Sequence, residues 1–380
     1  MAGYQSIDSH RSMLFDEVRN RAYGEAITAA VTPDSVVMDL GCGLGLHGLL
    51  AARAGARKVY MVEPEPIIEL TRRVVAASGF TNVELIQARA EELVLEEPVD
   101  LIISVFTGNF LLTEDLLPAL FTARDRCLRK DGLLLPGGAR MRVAPVSCEQ
   151  YFDAVVGRWG AASGAAADWS AHSFDYSAVR PYAANSTYYD SAKNFAATLL
   201  TSPATLHELD FYTATRAEVD AELTFTAADA GICHGWLGWF DMDLGAQSLS
   251  TSPLSPPLHW GQVYMPLPEP VALQPAQEIG FSLQRATRGD WNWATQVAGE
   301  LVKGSTFLER PFDMGLLKRL SEGHQPQLNL RGEAARLILS LMDGKHSNVD
   351  IAGQLVRQWP QGFDSSSALE LVQAMVRQYG

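Results

Sequence analysis

The sequence predicts an α/β fold class: a Rossmann-like parallel-sheet domain with N-terminal helices, then an antiparallel β-barrel-like domain and a small C-terminal helical module. Three observations carry that reading. Short, nearly all-apolar runs alternate with helical periods as far as about residue 135, which is the pattern of a parallel sheet covered on both faces. After Pro136-Gly137-Gly138 the helical periods give way to short β-rich runs. The last fifty or so residues return to strong amphipathic helical spacing. A length of 380 residues accommodates two or three domains.

Met13, Leu14, Val18, Ala22 and Ile27 recur every three to four positions, which places one or two helices over 7–30. A buried strand at 35–40 runs into Gly41-Cys42-Gly43-Leu44-Gly45, a tight turn that opens a helix at 46–54. Strand 58–63, helix 67–78, strands 83–87 and 99–105, helix 116–128 and strand 132–135 continue the alternation. The β-rich runs lie at 140–144, 221–226, 232–243, 262–265 and 278–285, with an Ala-, Ser-, Tyr- and Trp-rich excursion at 153–200. Helical patterns at 334–342, 349–359 and 367–376 close the chain. The expected divisions are 1–31, N-terminal helices over a ligand site; 32–138, the ligand-binding α/β domain; 139–325, the β domain with its arm; and 326–380, the helical module.

Thirty Lys and Arg against forty-four Asp and Glu give a net charge of -14, so a polyphosphate backbone or an anionic bilayer finds no general electrostatic footprint. No nucleic-acid or membrane partner is expected. Cys42, Cys127, Cys148 and Cys233 stand singly, without the C-x-x-C pairs of zinc or redox sites, so no metal is expected and reduced thiols are the simplest reading. No apolar run approaches the roughly 18 residues of a membrane span, and a cytoplasmic location is expected.

Asp39-x-Gly41-x-Gly43-x-Gly45 lies between strand and helix, where glycine permits positive φ and a close backbone approach to a ligand; a turn that only packs tightly would look the same. Glu63 sharpens the reading. A carboxylate ending the second strand can accept both hydroxyls of a ribose, as nucleotide and S-adenosylmethionine pockets require.

Over residues 4 to about 310 the chain resembles the protein arginine methyltransferase family. His10-Arg11-Ser12-Met13-Leu14-Phe15-Asp16-Glu17-Val18-Arg19 is similar to the family's H-x-x-M-L-x-D-x-V-R helix, and 39–45 to its S-adenosylmethionine turn, followed by Ala54-Gly55-Ala56 and the strand ending in Glu63. The resemblance implies S-adenosylmethionine as cofactor, with S-adenosylhomocysteine as product. It implies that Arg19 pairs with the cofactor carboxylate, Met13 lies near the sulfonium, Glu63 holds the ribose and Ala90-Glu91 flank the adenine. His10, Asp39, Gly41, Cys42, Gly43 and Pro64 complete the expected cofactor site. Tyr4 has the spacing of a family tyrosine with a part in catalysis, and is equally readable as an anchoring aromatic.

In the family, two glutamates on the loop after the fourth strand grip a guanidinium. Here Glu114 matches the second, and Val105 stands in place of the first. Loss of that carboxylate removes charge-assisted hydrogen bonds worth roughly 1.5–3 kcal/mol each. The family's T-H-W motif appears as Leu258-His259-Trp260, and its histidine would pair with Asp16. An Asp-held histidine is a credible general base; it is equally a structural link between the first helices and the β domain. Glu114 also suits the start of the helix at 116–128 as a dipole-complementing acid. Val105, Phe106, Asn109 and Trp260 are expected around the acceptor; Phe110, Trp236 and Trp239 read either as further lining or, more commonly for such residues, as core.

The expected activity is therefore methyl transfer to a nitrogen or activated aromatic carbon of an amine, imidazole or indole, on a small-molecule or peptide natural product. The alternatives are a true arginine guanidino N-methyltransferase and a non-catalytic S-adenosylmethionine-binding regulator. The resemblance further implies a homodimer through the arm at 153–200. The tail resembles small winged-helix modules, and reads equally as a plain helical extension.

Overall fold

The computed structural model describes residues 7–160 and 171–380. It comprises two compact units, Met1–Pro311 and Phe312–Gly380.

Two helices open the first unit, α1 (Ile7–Leu14) and α2 (Glu17–Ala30). They are separate because Asp16 caps α2, its Oδ1 accepting the Arg19 N–H at 3.0 Å. The α/β domain then runs β1 (Val36–Leu40), α3 (Leu46–Arg53), β2 (Lys58–Val62), α4 (Ile68–Ser78), β3 (Val83–Ile86), β4 (Val99–Ser104), α5 (Leu117–Cys127) and β5 (Leu128–Leu135). Its five strands are parallel in the order β3-β2-β1-β4-β5. Strand order reverses beside β1, and ligands of such sheets bind in the crevice at that point, outside the carboxyl ends of the strands. Leu40 is level with Val62 and with Ser104, so Gly41, Glu63 and Val105 leave the sheet side by side.

The second domain is antiparallel. Its strands are β6 (Gly138–Ser147), β7 (Tyr188–Asp190), β8 (Thr198–Leu199), β9 (Ala204–Asp210), β10 (Val219–Thr226), β11 (Gly231–Leu244), β12 (Gln247–Ser250), β13 (Gln262–Leu273), β14 (Glu278–Arg285), β15 (Asn292–Val297) and β16 (Glu300–Ser305). One sheet runs β7-β13-β11-β6-β8, with β12 on β11 and β9 on β6; the other runs β10-β14-β15-β16. Sequence reading passes over β9, β15 and β16 because half-buried strands such as Asn-Trp-Ala-Thr-Gln-Val carry too many polar residues to form an apolar run. In the arm, α6 (Glu149–Phe152), a π-helical turn (Asp153–Gly157), α7 (Arg180–Ala184) and α8 (Ala192–Phe195) surround the short β7 and β8. Part of it, 161–170, lies outside the described residues.

The second unit contains α9 (Met314–Leu320), α10 (Leu330–Leu341), α11 (Asn348–Gln358) and α12 (Ser365–Tyr379). Ala334, Ile338, Ile351, Ala352, Leu355, Ala368 and Val372 form its own core. Asn329, Ser347 and Asp364 cap the three longer helices. Among the described residues it has no strand, so the wing implied by resemblance to winged-helix modules is missing. The unit also begins ahead of the expected 326, because α9, only seven residues long, belongs with it.

Candidate active site

At the sheet edge the glycine turn is fastened to β2, with the Gly41 and Cys42 N–H groups both donating to the Val62 carbonyl, at 2.8 and 3.0 Å. Gly41 and Gly43 have φ of +72° and +51°, and rings roof them: a Cβ on Gly41 would lie 2.3 Å from Phe106, and one on Gly43 3.1 Å from His10. The buried Cys42 thiol faces the Gly43 carbonyl, and the Thr71 hydroxyl donates to that same carbonyl. Asp39 Oδ2 accepts the Gly48 N–H at 2.7 Å, which pins α3 to β1. Burial raises the Asp39 carboxyl to about 7, so its part is to hold the turn.

Glu63 is nearly sealed from solvent, and each carboxylate oxygen accepts one backbone N–H at 3.0 Å, Oε2 from Gly43 and Oε1 from Glu65. Burial raises its pKa against those bonds and the nearby His10. Each oxygen keeps a lone pair for a ribose hydroxyl. Arg19 is 4 % exposed. Its Nη2 donates to the Met13 carbonyl at 2.5 Å, and its guanidinium lies 5.9 Å from the Trp260 ring. Ala90 is buried, Glu91 beside it is exposed on the loop after β3, and Pro64 is exposed next to Glu63. A glycine floor, a buried ribose-competent carboxylate and a buried guanidinium on one sheet edge fit the adenosine, ribose and carboxylate of S-adenosylmethionine.

Beside this lies the loop after β4. Val105 and Phe106 follow Ser104 directly, both partly buried, and the Tyr23 hydroxyl donates to the Ser104 carbonyl at 2.9 Å. Asn109 Oδ1 accepts the Gly261 N–H at 2.8 Å, which ties this loop to the Leu258-His259-Trp260 segment. Phe110 turns away into the core, fully buried 5.3 Å from Trp291. Trp236 and Trp239 are core residues too, with Trp236 Nε1 donating to Thr295 Oγ1. Of the two readings of these three aromatics, core or acceptor lining, their burial favours the core.

His259 and Asp16 meet as expected. Asp16 Oδ2 accepts both the His259 backbone N–H at 2.9 Å and ring Nδ1 at 2.8 Å, while its Oδ1 caps α2. Burial would raise the Asp16 carboxyl, but the His259 ring and two backbone N–H groups more than reverse this and leave it below the usual range. An ionised Asp16 can only accept, so Nδ1 carries the proton and neutral His259 presents Nε2 as a proton acceptor. Burial lowers the His259 pKa; Arg19 adds to this, and Asp16 and Glu114 oppose it. Glu114 thus lies within electrostatic range of the ring, its side chain folded over Gly108. Tyr4 lies outside the described residues.

Sequence reasoning missed Tyr23, His47, Asp115 and Arg285. Tyr23 was within reach, one helical turn beyond Arg19; it stacks on His47 at 4.6 Å. No group of three metal-ligating side chains occurs among the described residues, and none of their helices is long and apolar enough to cross a membrane.

Residues 37–132 match the methyltransferase domain family, and 138–297 the arginine methyltransferase oligomerization subdomain. Among curated proteins, the chain is 31 % identical over 304 residues to protein arginine N-methyltransferase 2 of Xenopus tropicalis, covering 76 % of this chain and 68 % of that one. It is 32 % identical over 263 residues to protein arginine N-methyltransferase 1 of Schizosaccharomyces pombe, covering 67 % and 74 %. Among solved structures, the Trypanosoma brucei PRMT1 enzyme-prozyme heterotetrameric complex with AdoHcy superposes with a TM-score of 0.71 at 27 % identity, covering 80 % of this chain and 99 % of that one. Protein arginine methyltransferase 10 of Arabidopsis thaliana shares the fold, with a TM-score of 0.65 at 24 % identity, covering 80 % and 99 %.

Proposed function

The chain belongs to the protein arginine methyltransferase family and is an S-adenosylmethionine-dependent methyltransferase, and from that premise we propose that its acceptor is an arginine guanidinium in a protein or peptide. The observation that carries this reading is that Glu114 lies within electrostatic range of the Asp16-held His259 beside the cofactor edge. The relatives' names support it over a small-molecule natural product, the acceptor the sequence alone favoured.

When bound, S-adenosylmethionine supplies an electrophilic methyl group on a sulfonium. Arg19 would hold the cofactor's carboxylate and Glu63 its ribose. Glu114 accepts guanidinium N–H bonds and fixes which nitrogen faces the methyl. As the attacking nitrogen gains the methyl it gives up one proton, which His259 Nε2 would receive. The methylated guanidinium would keep its single positive charge, the sulfonium's charge leaving as that proton.

Val105 favours a second reading, a neutral amine, imidazole or indole, because one carboxylate grips a guanidinium less firmly than two. A mass-spectrometric turnover assay offering an Arg-Gly peptide, free arginine and a panel of such heteroaromatics and amines decides between them. Methylated arginine is the expected product; methylation confined to neutral acceptors would reject the first reading. Cofactor binding with no turnover on any acceptor would instead point to a regulator. Homodimerisation through the arm is part of the proposal, supported by the oligomerization-subdomain match, as is a reducing, cytoplasmic setting, supported by four buried, unpaired thiols.

A further inference from the structure

The loop between Val105 and Leu116 is held in a conformation that its own sequence disfavours. Phe110, Leu111 and Asp115 have φ of +49°, +65° and +54°, in the left-handed region where a side chain is costly, at about 1–3 kcal/mol each. Such residues persist only where the surroundings over-determine them. The first tie is Phe110, whose ring fills space that Gly238 leaves open: a Cβ there would stand 2.5 Å from it. Asn109 supplies a second, through the Gly261 N–H. The third is ionic. Asp115 Oδ1 accepts Arg285 Nη1 at 2.9 Å and the Arg288 N–H at 2.9 Å, and Oδ2 accepts Arg285 Nη2 at 2.7 Å. Arg285 is 6 % exposed, and its guanidinium lies 4.8 Å from the ring of Trp291, the residue that also packs on Phe110.

We propose that Asp115 and Arg285 are a positioning pair: by clamping the end of this loop to β14 they hold Glu114, the adjoining residue, in the acceptor site. The inference rests on the reading of Glu114 as the acceptor-binding carboxylate. Glu114 is the peptide neighbour of a carboxylate fixed at three hydrogen bonds, and its side chain has little room on the other side: a Cβ on Gly108 would lie 2.7 Å from Glu114 Cγ and 2.9 Å from its backbone nitrogen. The loop is closed at that point by the Gly108–Leu111 bridge. Releasing Asp115 therefore displaces Glu114 rather than letting the neighbouring chain absorb the change. The Asp115 carboxyl, which burial alone would raise, is held below its ordinary range by Arg285 and the Arg288 N–H, so the pair is charged at working pH.

The test is the paired variant D115N/R285Q, which removes both charges at once and leaves no uncompensated cation. Three quantities are measured on the full-length protein: S-adenosylmethionine affinity by calorimetry, acceptor KM and kcat, and the His259 imidazole titration by NMR. The charged groups facing that ring are Asp16, Arg19 and Glu114. E114Q serves as the reference, since deleting that carboxylate is expected to lower the His259 pKa. The paired variant is expected to lower it in the same direction, raise acceptor KM about tenfold or more, and leave cofactor affinity within about twofold. R285K, which keeps the charge and loses the two-pronged geometry, is expected to fall between wild type and the paired variant. It replaces the paired variant should that chain fail to bind cofactor. A His259 titration unchanged from wild type in these variants, with E114Q shifted, overturns the proposal, as does an unchanged acceptor KM. If wild type does not methylate arginine yet the titration shifts as described, the pair still positions Glu114 and it is the acceptor assignment that falls.

Discussion

The cofactor edge and the acceptor loop lie side by side at the ends of β1, β2 and β4, yet they are built in opposite ways. The cofactor edge is local. Its turn uses glycines where φ is positive, its carboxylates are held by backbone N–H groups 2, 9 and 20 positions away, and strand, turn and helix follow in one short stretch. The acceptor loop places three non-glycine residues at positive φ, and its ties come from residues 152 and 170 positions distant, Gly261 and Arg285. A site assembled from nearby chain survives divergence of the rest of the molecule. One held by distant contacts depends on the packing of the β domain.

Four experiments bear on that contrast. The largest effect is expected from Glu63→Ala, which removes the buried carboxylate proposed to accept two ribose hydroxyls; S-adenosylmethionine affinity should fall by about 100-fold, charge-assisted bonds being worth roughly 1.5–3 kcal/mol each. Retained affinity on calorimetry would mean that the edge does not hold the ribose. His259→Ala comes next: kcat should drop by about 100-fold with cofactor affinity unchanged, the usual scale of a lost general base. In wild type, kcat should fall on acidification with a midpoint below the ordinary histidine value of 6.5, because burial favours the neutral ring. Parallel loss of melting temperature and cofactor binding in His259→Ala would assign the residue to structure.

Gly238→Ala tests whether the two regions are separable. Its Cβ meets Phe110, and overpacking of this kind costs about 1–3 kcal/mol, so the melting temperature should fall and acceptor KM should rise while cofactor affinity holds. Equal damage to both substrates would erase the distinction. The smallest effect concerns His47, which burial keeps neutral down to about 3. An unfolded chain binds that proton at about 6.5, so its share of stability is intact above 6.5 and is lost progressively as pH falls toward 3. His47→Phe, which preserves the stack on Tyr23, should flatten the urea-measured stability profile across that window. An unchanged slope would show that His47 is not buried as described.

What could be read from the amino acids follows the same division. The turn at 39–45, Glu63 and the first helices were legible because their signals are short-range: glycine spacing, an acid at a strand end, a helical period. The His259–Asp16 meeting was legible only through resemblance, since 243 positions separate the two. Nothing in the neighbourhood of Asp115 points to Arg285, and nothing in Trp236 or Trp239 says that they face inward. The strand at Asn292–Val297 escaped notice because half-burial leaves polar residues on alternate positions.

Asp16 carries a further consequence. One carboxylate caps α2, on which Arg19 is mounted, and also orients the ring proposed to receive the acceptor's proton. The orientation of the base and the mounting of Arg19 thus share one carboxylate, and substrates are expected to add in sequence, donor before acceptor. S-adenosylhomocysteine would then compete with the donor and not with the acceptor, whereas competition with both would indicate random entry.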